Sequence, residues 1–267
     1  MSATQLDGLT TFVDSHCHLD RLDLSAYNGD LSSLIQNARA HHVKDMLCVS
    51  ISFENVDRCV QIAKDHDFVH ASIGVHPSDV NTVIPPEETW LRYQHESKVV
   101  AIGETGLDYY YGIETKKIQN EAFAFQIDIA KKMKKPLIVH TRQAKEDTLS
   151  LLKAHQAHEV GGVLHCFTED QDMAFKALDL GFYISFSGII TFKNAEDLRA
   201  VAKALPIDRI LIETDSPYLA PIPFRGRSNE PRWVVEVAKK MAEIRGVSLE
   251  EIAEKTTENF HRLFLNK

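Results

Sequence analysis

Short apolar runs, rich in β-branched residues, alternate with amphipathic stretches from one end of the chain to the other. Runs at 12–16, 44–50, 68–76, 99–104, 137–140, 162–165, 182–187 and 209–215 predict eight strands. Between them, residues 31–41, 54–65, 87–97, 115–134, 144–155, 170–180 and 194–205 place apolar positions at helical spacing. Helices over 231–245 and 248–255 close the chain, followed by a short tail over 259–264. Pro136 and Pro206 stop the helices before them, because the residue ahead of a proline is pushed out of the helical region. Eight alternations in this order predict an α/β fold of the (β/α)8 TIM-barrel class. An open doubly wound sheet is the alternative, but no Gly-x-Gly-x-x-Gly follows the first strand, so nothing supports a dinucleotide site. No linker, repeat or low-complexity segment interrupts residues 1–267, which are expected to form a single domain. The longest loop-like stretches, 17–30, 105–114 and 216–230, all follow strands, on the side where a barrel builds its site.

Charge narrows the function. The 267 residues carry a formal net charge of -8, with 44% hydrophobic and 25% charged positions. That balance lacks the broad basic surface of a protein that coats duplex nucleic acid. It leaves room for a nuclease whose hold on phosphate runs through metal ions and a few arginines. Cys17, Cys48, Cys59 and Cys166 form no CxxC pair and read as reduced thiols of a cytoplasmic protein. No run approaches membrane-spanning length, and the first residues lack a basic and apolar leader. Neither a membrane nor an obligate protein partner is expected.

The chemistry gathers at the predicted strand ends. His16 and His18 close the first strand and share a face, since successive strand side chains alternate. His76 ends the third strand, Glu104 the fourth, His140 the fifth and His165 the sixth. Glu213 and Asp215 end the eighth. Each follows an apolar run, and a parallel barrel collects all these ends on one rim. A lone histidine there is ordinarily a hydrogen-bonded wall residue; the same accident at strand after strand is a poor account of the set. The remaining histidines act as a control. His41, His42, His66, His95, His155, His158 and His261 fall in helices or their flanks and read as surface or helix-end residues, and His70 stands early in its strand and reads as structural. Imidazoles and carboxylates on one rim are the donors of a divalent-metal site.

The runs Val13-Asp14-Ser15-His16-Cys17-His18-Leu19-Asp20, Gly103-Glu104-Thr105-Gly106-Leu107-Asp108-Tyr109, His140-Thr141-Arg142, Gly162-Val163-Leu164-His165-Cys166-Phe167-Thr168 and Glu213-Thr214-Asp215-Ser216-Pro217-Tyr218-Leu219-Ala220-Pro221 cover nearly the whole chain in order. The sequence resembles in them the TatD family of metal-dependent deoxyribonucleases, and in particular its YcfH-like branch, within the amidohydrolase-like barrel superfamily. Every metal position is kept; residues 1–11, ahead of the first strand, are an extension expected to leave the site unaffected. The resemblance implies one metal on His16, His18 and Asp215, a second on His140 and His165, and Glu104 bridging both. It implies DNA as substrate, single-stranded or at 3′ ends, with 3′–5′ exonuclease action. Glu104 and Asp215 are then the catalytic carboxylates, Asp215 orienting a metal-bound water or taking its proton. The two divalent ions could be Mg²⁺, Mn²⁺ or Zn²⁺, since nitrogen-rich ligation suits zinc whereas carboxylates and phosphate suit the other two. Binding should fade at low pH, where the imidazoles are protonated.

Around this set, His76 either contacts phosphate or the leaving group, or makes a wall hydrogen bond. Arg142 either pairs with phosphate or with a loop carboxylate. Arg225, beside Phe224 and Arg227, can bind substrate only if its loop overhangs the pocket. Glu213 can orient a ligand from behind. Tyr109, Tyr110 and Tyr111 either stack on a base or pack their own loop, and Asn229 and Pro231 are expected to start the last major helix. Two other functions remain open. One is a metal-dependent hydrolase of a cyclic amide, lactone or phosphoester, because fold does not choose a substrate. Many barrels of that kind use a modified lysine as the bridge, where this chain has Glu104. The other is a non-catalytic scaffold, which an intact ligand set disfavours.

Overall fold

The computed structural model describes residues 10–80 and 84–265. Most of the leading extension, residues 1–9, lies outside the described residues. Eight parallel strands, β1 (Phe12–Cys17), β2 (Val43–Cys48), β3 (Val69–Ile73), β4 (Val99–Asp108), β5 (Leu137–Arg142), β6 (Gly162–Leu164), β7 (Phe182–Phe186) and β8 (Ile210–Ile212), are hydrogen-bonded in sequence order. Between and after them run α1 (Leu31–Ala40), α2 (Val56–Asp65), α3 (Glu87–Leu91), α4 (Lys116–Met133), α5 (Lys145–Ala154), α6 (Gln171–Asp179), α7 (Glu196–Ala204), α8 (Val234–Arg245) and α9 (Leu249–Phe260). The expected barrel is therefore the observed one, and the doubly wound sheet is excluded.

The ring closes at its carboxyl rim. Cys17 bridges Ser216, and two main-chain bonds, Asp215 N–H to the His16 carbonyl (2.9 Å) and His18 N–H to the Ser216 carbonyl (2.8 Å), join the end of β1 to the segment after β8. The buried Asp14 carboxylate accepts Thr214 N–H at 2.8 Å and Thr214 Oγ1–H at 2.5 Å. Three bonds from β1 thus hold the main chain on either side of Asp215.

Two apolar layers hold the barrel. Phe12, Met46, Ile73, Val139 and Ile212 pack outward against the helices, while Val13, Leu47, Val49, Ile138, Val163 and Leu211 fill the interior. The interior layer is completed by Phe260 and Phe264. Helix α9 reaches Phe260 and continues as a π-helical turn through Leu265. The expected helix ended at 255 with a plain tail after it; burial of these two rings keeps the backbone coiled instead. Behind them, Asp45 at the start of β2 accepts from His261 Nε2 (3.0 Å) and lies 3.4 Å from His70 Nε2. His70 is structural, as expected; His261 stands at the end of α9, one of the two places expected for it, and is partly buried on Asp45.

Other boundaries moved for identifiable reasons. The helix predicted over 87–97 covers only Glu87–Leu91. Beyond it the chain turns through three-residue bonds, drawn by the Tyr93 hydroxyl, which donates to Asp57 on α2. β4 runs four residues past Glu104 and pairs Asp108 with Arg142. Its glycines read as loop signals, but a Cβ on Gly106 would collide with the His140 carbonyl, so glycine is what lets β4 lie against β5. β8 is shorter than the predicted run, ending at Ile212. All four cysteines are free thiols, three of them buried.

Candidate metal centre

The inward rows of the strands lead directly to the site. His140 lies two residues past Ile138 and His165 two past Val163, so the parity that fills the barrel aims both rings at its mouth. In β1 and β4 the register shifts between Asp14 and Cys17 and between Ile102 and Thr105. Such irregularities re-aim side chains, and here they bring His16 and Glu104 inward three residues past Val13 and Ala101. Where β6 and β8 end, the chain turns sharply, with Cys166 at φ 44° and Asp215 at φ 56°. Asp tolerates that left-handed region through its short polar side chain; for Cys166 it costs on the order of 1–3 kcal/mol.

Glu104 sits at the centre, nearly fully buried. Its Oε1 lies 2.7 Å from His165 Nε2, 3.2 Å from His140 Nδ1 and 3.2 Å from His76 Nε2. Its Oε2 lies 3.3 Å from His16 Nε2 and 3.9 Å from His18 Nε2. Asp215 Oδ1 faces the second pair, 3.4 Å from His18 Nε2 and 3.8 Å from His16 Nε2. One carboxylate therefore divides its two oxygens between two groups of imidazoles.

The outer nitrogens are anchored. His18 Nδ1 lies 3.0 Å from the Val49 carbonyl, His165 Nδ1 3.3 Å from Glu213 Oε1, and His140 Nε2 3.1 Å from Asp108 Oδ2. A ring that donates its proton outward turns a lone pair inward, which is what a metal requires. His76 is arranged the other way. Its Nδ1 accepts Ser78 N–H at 3.1 Å, which leaves the ring proton on Nε2, facing the cavity as a donor.

Burial alone would raise the Glu104 pKa, but His165 and His76 beside it hold the carboxyl well below its usual range. Burial likewise opposes charge on His18, yet Asp215 overrides it and pushes the pKa up to about 9. His16 goes down, from burial and the neighbouring His165 ring, which stacks on it at 3.9 Å between centroids. Among the described residues neither His16 nitrogen has a hydrogen-bond partner, although the ring is fully buried and two carboxylates stand within 4 Å. An unpaired buried imidazole is costly, and a cation between it and the two carboxylates would satisfy all three. The donor set thus fits divalent metal. Triads His16–His18–Glu104, His76–Glu104–His140 and His16–His165–Glu213 each bring their ligand atoms within 4.8 Å of one another.

The centre forms the floor of a cavity of about 750 Å³. Arg142 lines it with no carboxylate partner among the described residues, its guanidinium carbon 4.0 Å from the Tyr110 ring centre and 4.7 Å from that of Tyr111. Tyr109 packs its loop, donating to Asp147 at 2.7 Å. Arg225 is not brought to the cavity; it lies 3.9 Å over the Phe192 ring, and Phe224 stacks on Trp233. Asn229 does not start a helix. It is buried and donates to the Thr214 and Tyr218 carbonyls (2.8 and 2.6 Å), pinning the loop that carries Asp215, whereas Pro231 opens a 3-10 turn leading into α8. Sequence reasoning missed Asp108, hidden past the assumed end of β4, and Arg21 and Tyr218, which line the cavity from loops. Asp108 and Tyr218 fall inside the runs that carry the family resemblance, and that could have flagged them; for Arg21 only its position just past a histidine-bearing strand could have done so.

The chain is also similar to known proteins. The model of a family described as TatD related DNase matches residues 13–265. The uncharacterized metal-dependent hydrolase YcfH of Escherichia coli K12 is 50% identical over 252 residues, covering 94% of this chain and 95% of that protein. The uncharacterized metal-dependent hydrolase YabD of Bacillus subtilis is 43% identical over 253 residues, covering 94% and 98%. Among solved structures, the TatD homologue YJJV of E. coli superposes with a TM-score of 0.86 at 28% identity, covering 95% of this chain and 98% of that one.

Proposed function

Because the chain belongs to the family of TatD-related DNases, and is with it a metal-dependent hydrolase, we propose that it hydrolyses phosphodiester bonds of DNA as a 3′–5′ exonuclease acting on single strands or frayed 3′ ends. The observation that carries this reading is the division of the two Glu104 oxygens between His16 and His18 on one side and His140 and His165 on the other. In it, His16, His18 and Asp215 hold one divalent ion and His140 and His165 a second, with Glu104 shared; Mg²⁺, Mn²⁺ and Zn²⁺ all suit the donors. When bound, the ions supply a water acidic enough to lose its proton near neutral pH and positive charge for the phosphoryl oxygens.

The side chains do the rest. Asp215, the more exposed carboxylate of the centre, orients the attacking water and accepts its proton. His76, with its proton fixed on Nε2 by Ser78, donates to a phosphate oxygen or to the departing sugar oxygen. Glu213 and Asp108 hold His165 and His140 in place. Arg142 and Arg21 give the cavity two guanidinium groups, which favour an anionic phosphodiester over a neutral lactone or cyclic amide.

The test is digestion of end-labelled oligonucleotides with Mg²⁺ or Mn²⁺, with and without chelator, by the wild type and by Glu104→Ala. The wild type should shorten the strands from the 3′ end, and the variant and the chelated enzyme should lose that activity while remaining folded. Equal digestion by both proteins would falsify the role of Glu104, and shortening from the 5′ end would reverse the polarity.

A further inference from the structure

Two walls of the cavity carry the same pair of side chains. In an eight-stranded ring with strands in sequence order, β1 stands opposite β5 and β4 opposite β8. Arg21 follows β1 and Tyr218 follows β8, so they share one wall; Tyr111 follows β4 and Arg142 ends β5, so they share the facing wall. All four line the cavity.

The Arg21 guanidinium lines the cavity, and its shortest carboxylate contact is a loose one, with Nε 3.7 Å from Asp20 Oδ2, beyond hydrogen-bond range. Both tyrosines expose their rings, Tyr111 by 70% and Tyr218 by 51%, while their main chains are tied to the site. Tyr218 N–H donates to the Asp215 carbonyl at 2.9 Å, and Tyr111 N–H to Asp108 Oδ1 at 2.9 Å. The Tyr218 ring stands 6.0 Å from that of His18. Large exposed rings on fixed backbones with an arginine on the same wall are what a nucleotide requires: a flat apolar face for the base and a fork for the phosphate. Asp79 also lines the cavity, but from the β3 side, off the line joining the two walls.

We propose that the cavity carries two nucleotide subsites on opposite walls, Arg21 with Tyr218 and Arg142 with Tyr111, which hold the nucleotides on either side of the scissile phosphate. This rests on the reading of the chain as a phosphodiesterase and names what that site takes: an oligonucleotide engaged on both flanks of the bond to be cut, rather than a mononucleotide or a small phosphoester.

Binding of fluorescein-labelled phosphorothioate oligothymidylates, one to six residues long, to the full chain in Mg²⁺ tests this by anisotropy. Wild-type affinity should climb between one residue and three. Tyr218→Ala and Tyr111→Ala should each weaken the trimer by about five- to a hundredfold, the range for one base–aromatic stack, and weaken the monomer far less. Arg21→Gln should flatten the dependence of log affinity on log salt by about 0.7, one phosphate contact on a single strand; Arg21→Lys should keep the wild-type slope. A monomer bound as tightly as the trimer, or an Arg21→Gln variant that keeps the wild-type slope or loses monomer and trimer alike, overturns the proposal. Length-dependent binding with no cleavage of ordinary oligonucleotides leaves the subsites standing and removes the nuclease reading instead.

Discussion

A histidine holds a cation only through a nitrogen that keeps its lone pair, so the proton on the other nitrogen needs an acceptor. Asp108 provides one for His140, and the same carboxylate accepts the Tyr110 and Tyr111 amides at 3.0 and 2.9 Å, linking the centre to the aromatic loop. Asp108→Asn keeps the shape but can turn a donor towards a donor, which moves the His140 proton to the nitrogen facing Glu104. Metal affinity should fall about 10- to 100-fold, the usual loss when such a support is removed, with the fold retained; calorimetric titration of the apo protein with Mn²⁺ measures it. The six residues expected to hold metal were legible in the sequence because each follows an apolar strand. Asp108 was not, because two glycines in front of it imitate the end of a strand. Arg225 was misplaced for a different reason: a charge in a loop carries no period, and nothing in the sequence says that its partner is the Phe192 ring.

At the scale of elements, strands were easier to find than to bound. A buried parallel strand is a nearly continuous apolar run, so its existence shows, but its last residues are polar and follow the site rather than the pattern. β4 overran its prediction and β8 fell short. The chain beyond Phe260 was read as a tail because a single turn has too few residues to show periodicity, yet it seals the barrel. Phe260→Ala should cost about 3–5 kcal/mol, the range for emptying a buried aromatic site, read as a lower urea midpoint. The Asp45 contacts to His261 and His70 brace the same turn. Burial would raise the Asp45 pKa, but the two imidazoles outweigh it and the value is lowered. The stabilisation is therefore complete above the unfolded carboxylate value near 4, and is lost as pH falls through the folded value. Asp45→Asn should lower stability by roughly 1–3 kcal/mol at pH 7, and melts at stepped pH should show wild type and variant converging below about pH 4.

Across the whole molecule, net charge and site chemistry pull in different directions. A chain of net charge -8 attracts divalent cations and repels polyanions, so the DNA substrate proposed above would have to be held locally, at the rim. Cations that bind only the folded protein stabilise it by mass action. At a hundred times its dissociation constant, Mn²⁺ should add about 2.7 kcal/mol and raise Tm by roughly 5–10 °C, an increase that chelator reverses; a melting curve indifferent to Mn²⁺ would argue for the scaffold reading. No helix among the described residues is long and apolar enough to cross a membrane.

The stopper of the barrel also has a place in time. Synthesis delivers a chain from its amino end, so all eight strands and the entire histidine set leave the ribosome before Phe260 and Phe264 arrive. Until then the inward faces of Val13, Leu47 and Leu211 lack their last two neighbours. A nascent chain stalled just short of this turn would carry every residue of the candidate metal centre on a ring still open to water from beneath, and would be the form most exposed to proteases and chaperones.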